Sequence, residues 1–394
     1  MEGKTKRKNE CTFAFVRCII DNVGSIDVKI SDYLAKFYTS TYVLGYFSSE
    51  FNILRKTIPV RIYVKPARVP LIQGFIISIL SFIKLSRVKP NTVLWTWGCF
   101  FPGGLLLKLA SRRTKVFIDI RSHPISQRSK FITAMYNALF AWTLKLARKF
   151  VDGFTVISPS MWIYITKRYG IKSPKRLCVW TSGYDKELFE YVQRIEYKYV
   201  ACLRKIIGVE EKHKVITYYG TISYSRLPLF NLLIEAFSLL RKDHDNVKLL
   251  IVGKGDAVQE VLKLVRSFNL EKDTILIPPV SHTMIPLILL ISDVVIAPFQ
   301  RDHNWLTQVP LKVVEALGMM KPIVTTPLIE LKRILPPEYL VDFEELSPVI
   351  LKNKLETLLY REVNKHTLKN IGVESLSWST IAENLYKCIE GLET

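Results

Sequence analysis

Between Lys214 and Pro327 the chain alternates short apolar runs with amphipathic stretches in an order that few folds accept. Val215–Tyr219, Val247–Val252, Thr274–Ile277, Val294–Ala297 and Ile323–Thr325 have the length and β-branched content of buried strands. Pro228–Arg241, Ala257–Phe268, Met284–Ile291 and Leu311–Leu317 lie between them with helical spacing. Strands separated by single helices pair in parallel through right-handed crossovers, because a hairpin has no room for the helix. This half is therefore predicted to be an α/β domain with a doubly wound parallel sheet, and its ligand belongs at the C-terminal strand ends.

Two glycine-bearing turns fall on that edge. Gly220 and Thr221 follow the first strand in Tyr219-Gly-Thr-Ile-Ser-Tyr-Ser-Arg226, and Gly253 and Gly255 follow the second in Gly253-Lys-Gly-Asp256. Such turns suit phosphate, although a tight strand-to-helix turn also needs glycine for backbone geometry alone. The last helix opens with Pro310, Leu311 and Lys312, and Glu315 shares a face with Lys312 three positions away. Backbone N–H groups at a helix N-terminus favour an anion, Lys312 adds a full charge, and a carboxylate accepts two hydroxyl hydrogen bonds from a sugar ring. A nucleotide sugar has both features. The alternative is an ordinary amphipathic helix with Lys312 and Glu315 on its solvated face.

Taken in order, Gly220 and Arg226, Ile251-Val-Gly-Lys-Gly255, Ser292-Asp-Val-Val-Ile-Ala-Pro298 and the Pro310-to-Glu315 stretch resemble the C-terminal half of GT-B glycosyltransferases, most closely the large retaining family four. Asp152–Ser158, Tyr169-Gly170, Ser182–Phe189 and Ser377–Glu383 match the rest of that pattern more loosely. The resemblance implies a GT-B fold: two Rossmann-like domains facing a cleft, with a C-terminal helix crossing back to the first. It implies retaining transfer of a hexose-type sugar from a nucleotide diphosphate sugar, with no cofactor and no metal. Arg226 and Lys312 would meet the diphosphate and Glu315 the ribose, with backbone at Pro279 and Val280 against the base. Gly220, Thr221, Gly253, Gly255, Pro310 and Leu311 would complete the donor site. Thr307 stands where the family often has a Glu that contacts the donor sugar, which leaves sugar identity open. In the N-terminal half, the loop holding Gly24 resembles the one beneath the donor phosphates. Asp119, Arg121 and His123 gather an acid, a guanidinium and an imidazole at one strand end. A family His contacts the donor sugar near this place, and which of the three is equivalent stays open. A surface-loop histidine is the other reading of His123.

Charge separates the halves. Residues 1–200 hold 33 Lys and Arg against 12 Asp and Glu, whereas residues 201–394 hold 23 of each, so the net +21 lies wholly in the first half. A field so polarised attracts an anionic partner such as a phospholipid surface, a polyprenyl-phosphate-linked acceptor or nucleic acid. No nucleic-acid-binding signature accompanies it, and Trp95 and Trp97 lie in a strand where core packing is expected. A GT-B sugar-nucleotide epimerase is a further alternative, but it needs paired carboxylates that the acid-poor half is short of.

The expected organisation is a basic tail at 1–10, an acceptor-binding domain at 11–190, a linker at 191–213, a nucleotide-sugar domain at 214–375 and the crossover helix at 376–394. Strands are predicted in the first domain at Thr12–Val16, Tyr42–Tyr46, Thr92–Thr96, Val116–Ile120 and Gly153–Ile157. The apolar run Val69–Ile83 is too short to span a bilayer, so it is either an interfacial helix with basic flanks or a core helix, and Phe131–Leu144 poses the same choice. The charged start shows no signal peptide, and six cysteines without close pairing read as buried thiols of a cytoplasmic protein, peripheral at the membrane face. Asp243-His-Asp245 spells a metal-binding triplet but precedes a strand instead of following one, and it reads as a turn.

Overall fold

The computed structural model describes residues 12–20, 26–47, 57–62, 70–97, 102–123, 130–301, 303–360 and 371–392. The 1–10 tail and the Gly24 loop lie outside them. The chain divides into two compact units, residues 1–181 with 378–394, and residues 182–377.

The first unit is built on seven strands: β1 (Thr12–Ile20), β2 (Ser40–Phe47), β3 (Thr57–Arg61), β4 (Thr92–Thr96), β5 (Lys115–Ile120), β6 (Gly153–Val156) and β7 (Leu177–Val179). All pair in parallel in the order β3-β2-β1-β4-β5-β6-β7. The two strands absent from the sequence reading, β3 and β7, are the sheet's edges. An edge strand has one neighbour and need not read as a continuous apolar run, and Pro59 within β3 is tolerated only there. Ala14, Val93, Trp95, Ile118 and Phe154 form the core, so Trp95 is a packing residue.

The ambiguous helices have two apolar faces. Pro70–Val88 buries Ile77, Ser81 and Leu85 but leaves Phe75, Ile76 and Ile83 exposed. Lys130–Phe150 buries Phe140, Leu144 and Ala147 while Phe131 and Trp142 are 79% and 61% exposed. Among the described residues no helix is long and apolar enough to cross a membrane.

Two expectations are corrected. Cys178 of β7 and Cys388 of the Trp378–Glu390 helix are joined in a disulfide, and Cys202 is exposed, so these are not buried thiols. The half-cystines lie 210 residues apart, and only the return of the last helix to β7 brings them together. Lys115 also pairs with Glu390, and Arg176 Nη1 donates to the Ile389 carbonyl at 2.6 Å. The 191–213 stretch, expected as a linker, lies inside the second unit. Lys186–Gln193, started by Asp185 accepting from Leu188 N at 3.1 Å, and Tyr197–Ile206 make much of it helical within the second unit. Alternating charged and apolar residues there conceal one packed face, Val200 and Leu203.

The second unit carries β8 (Lys214–Tyr219), β9 (Val247–Val252), β10 (Thr274–Ile277), β11 (Val294–Ala297) and β12 (Ile323–Thr325), all parallel in the order β10-β9-β8-β11-β12. Tyr219 pairs with Val252, and Val252 with Ile277, so three strands end level and open their loops on one edge. The Asp243-His244-Asp245 turn lies before β9, with Asp243 on Lys352 at 2.7 Å and His244 Nε2 2.6 Å from Glu356 Oε1. Charge pairing to the Pro348–Tyr360 helix accounts for these two residues.

Candidate active site

The level strand ends of the second unit bring the predicted donor residues together. Tyr219, Gly220, Thr221, Val252, Gly253, Lys254, Pro279, Val280 and Ile285 line a cavity of about 220 Å³. The loops after β8 and β9 run hand in hand, Gly220 N donating to Val252 O at 2.8 Å and Ile222 N to Lys254 O at 2.9 Å. A Cβ on Gly253 would lie 1.9 Å from Gly220 O, so this glycine is required by the close approach of backbone. Gly255 meets Ile222 O in the same way and does not line the cavity.

Lys312 and Glu315 rise from the Leu311–Gly318 helix, which Pro310 precedes in extended conformation. Neither sits on a solvated face. Glu315 is 2% exposed, and Tyr219 Oη reaches both its Oε2, at 3.0 Å, and the Lys312 carbonyl, at 2.9 Å. His282 Nε2 stands 2.6 Å from Glu315 Oε1, off the line of an aligned hydrogen bond but at ion-pair distance. Lys312 Nζ lies 4.5 Å from the centroid of the Tyr218 ring, and a Cβ on Gly220 would come within 2.8 Å of it. Glycine at 220 thus leaves room for the ammonium. Lys312 keeps some solvent access, yet protein surrounds its Nζ. Burial, reinforced by the Arg226 charge and only partly opposed by Glu315, brings its pKa down to about 7. Arg226 Nη1 donates to Tyr218 Oη at 3.2 Å, and its guanidinium faces the Trp305 ring. Burial, with Glu315 next, pushes the Tyr219 phenol well above its ordinary range, so it stays a donor. Thr307 is buried, in the short connection between the His303–Leu306 helix and Pro310, and has no carboxylate to offer a sugar.

The first-unit trio is differently placed. Asp119 Oδ1 accepts from Thr155 Oγ1 at 2.5 Å and from Trp180 Nε1 at 2.9 Å, tying β5 to β6 and to the residue after β7. Arg121 stacks on Trp180 at 3.7 Å and donates to its carbonyl at 2.8 Å. Burial raises the Asp119 pKa against the pull of Arg121, and burial lowers that of Arg121 against the pull of Asp119. His123 is buried with its ring 4.0 Å from Tyr164, so the surface-loop reading is corrected.

Tyr218, Tyr219, His282 and Trp305 were not singled out from sequence. The tyrosines end a strand beside Gly220, and His282 follows Val280 by two positions, so strand-end location was the available signal.

Residues 202–344 match the model of the family described as glycosyl transferases group 1. No curated protein sequence matches the chain. Among solved structures, Anabaena Alr3699/HepE in complex with UDP-glucose is similar with a TM-score of 0.70 at 15% identity, covering 97% of this chain and 100% of that one. Sucrose-phosphate synthase from Thermosynechococcus elongatus gives 0.72 at 14%, covering 97% and 98%. WaaG, a glycosyltransferase involved in lipopolysaccharide biosynthesis, gives 0.66 at 13%, covering 96% and 98%. At these identities the structures speak to the fold, while the family match speaks to the second unit's chemistry. Residues 202–344 thus match the glycosyl transferases group 1 family, and the chain is a glycosyltransferase of the GT-B fold.

Proposed function

We propose that the protein transfers a hexose-type sugar from a nucleotide diphosphate sugar to a glycan or polyprenyl-phosphate-linked acceptor, with retention at the anomeric carbon and without a metal. The observation that carries this reading is the convergence of Lys312, Arg226 and Glu315 on one strand edge beside the Gly220 cavity. A solved relative in fold was crystallised with UDP-glucose, which supports the donor class.

In the reaction the anomeric C–O bond breaks with its electron pair passing to the diphosphate, and the acceptor oxygen forms the new bond as its hydroxyl gives up its proton to a departing diphosphate oxygen. Charge therefore grows on the diphosphate in the transition state, and cations fixed in advance at that point lower the barrier. Lys312 and Arg226 hold those positions, backbone at Pro279 and Val280 meets the base, and Glu315 accepts from the ribose.

The acceptor side is assigned to an anionic membrane surface. The first half of the chain carries the whole net charge, and Phe131, Met135 and Trp142 stand exposed on a helix that also exposes Lys145 and Lys149. Apolar and cationic side chains on one helix suit an interfacial seat. The Cys178–Cys388 bond removes the cysteine argument for a cytoplasmic placement.

Thermal stabilisation by UDP-, GDP- and ADP-glucose tests the donor reading, because a ligand of the folded state raises its melting temperature. Product anomeric configuration by NMR tests retention, and EDTA should leave turnover intact. If none of the three donors shifts the melting temperature, the donor reading falls. Sedimentation with anionic vesicles tests the membrane reading: Trp142→Glu should weaken binding, and indifference of the wild type at low salt would refute it.

A further inference from the structure

Each carboxylate oxygen of Glu315 has a close polar neighbour. Tyr219 Oη donates to Oε2 at 3.0 Å and His282 Nε2 lies 2.6 Å from Oε1. Nε2 stands against this oxygen off the line of an aligned hydrogen bond. The two partners come from different loops: Tyr219 ends β8, and His282 opens the His282–Met284 turn beyond β10, beside the cavity-lining Pro279 and Val280. The terminal torsion of a glutamate is broad and roughly two-fold, so one partner alone leaves the carboxylate plane loosely set. A hydrogen bond at Oε2 and the imidazole packed against Oε1 together restrict it.

We propose that His282 is a positioning residue of the donor site: with Tyr219 it holds the Glu315 carboxylate in the orientation that meets the ribose, which makes His282 a determinant of preference for ribose-bearing donors. The proposal rests on the reading of Glu315 as the ribose acceptor. His282 acts through Glu315, so its contribution exists only when the donor has hydroxyls to present. This separates it from a histidine that touches base or phosphate, whose loss would weaken any donor alike.

The test is a cycle between protein and ligand in the full chain. The probe is whichever of UDP-, GDP- or ADP-glucose gives the largest thermal shift, compared with its 2′,3′-dideoxy analogue. The wild type should favour the ribose donor about ten-fold or more, the range of a hydrogen bond to a charged group. His282→Ala should raise KM for the ribose donor with little change in kcat, leave KM for the dideoxy donor in place, and bring the preference close to unity. His282→Asn, which retains an N–H donor, should recover part of the preference and serves if the alanine variant folds poorly. Equal weakening of both donors by either variant would overturn the clamp while leaving the ribose reading intact. Failure of the wild type to discriminate, together with an inert Glu315→Gln, would instead remove Glu315 from the ribose and the clamp with it.

Discussion

Lys312 sets a pH dependence that can be worked in advance. Its pKa in the free protein is lowered to about 7 by burial and by Arg226. A nucleotide diphosphate sugar keeps both phosphate charges across neutral pH, and their arrival beside Nζ favours the ammonium form. Binding above pH 7 must therefore take up a proton, and binding below it need not. The charged fraction falls from about nine in ten at pH 6 to about one in ten at pH 8, so the dissociation constant should be nearly flat below pH 7 and rise about ten-fold per unit above it. Calorimetry in two buffers of different ionisation enthalpy counts the protons taken up: close to one at pH 8 and close to none at pH 6. Lys312→Arg keeps a cation that does not titrate and should flatten the profile, and Lys312→Met should flatten it at uniformly weak affinity. A wild-type affinity independent of pH between 6 and 9, with no proton uptake, would refute the placement of Lys312 at the diphosphate. By the same linkage the unfolded chain holds this proton up to the ordinary value of 10.5, so Lys312 by itself makes the fold more stable as pH rises from about 7 towards that value.

Arg226→Ala should lower kcat about 10- to 100-fold, the range of one charge-assisted contact that strengthens as the diphosphate departs; full activity in a stopped assay of sugar transfer would free Arg226 from the leaving group. Gly253→Ala places a Cβ 1.9 Å from Gly220 O. Forcing those loops apart should cost roughly 1–3 kcal/mol, read as a lower midpoint in thermal or urea unfolding, and an unchanged midpoint would show that the loops part freely. Cys388→Ser opens a loop whose ends are 210 residues apart. Chain entropy puts the loss at up to about 5 kcal/mol, so the variant should unfold earlier than the wild type and no longer respond to reductant. Equal midpoints with and without reductant in the wild type would mean the bond contributes nothing.

Sequence made the second unit almost fully legible because four of its five strands, β8, β9, β11 and β12, are buried almost throughout and its crossover helices have one apolar face. Period and length alone therefore separate Val247–Val252 from the helix before it. The same logic fails at β3, which Pro59 interrupts, at β7, which is only three residues long, and over 191–213, where a helix packs only Val200 and Leu203 inward. Lys312 and Glu315 were legible as a pair because three positions on a helix fix their common side. Their company was not. Tyr219 meets Glu315 across 96 residues, and His282 meets it from a turn that no period marks. A pattern along the chain records what a residue packs against within its own element, whereas a site in a parallel sheet is assembled from the ends of several elements. Adjacent strands end level here, so polar residues at or just past each C-terminal strand end are neighbours whatever their separation in sequence. Applied to β8 and β10, that rule reaches Tyr218, Tyr219 and His282, which gather around Lys312 and Glu315.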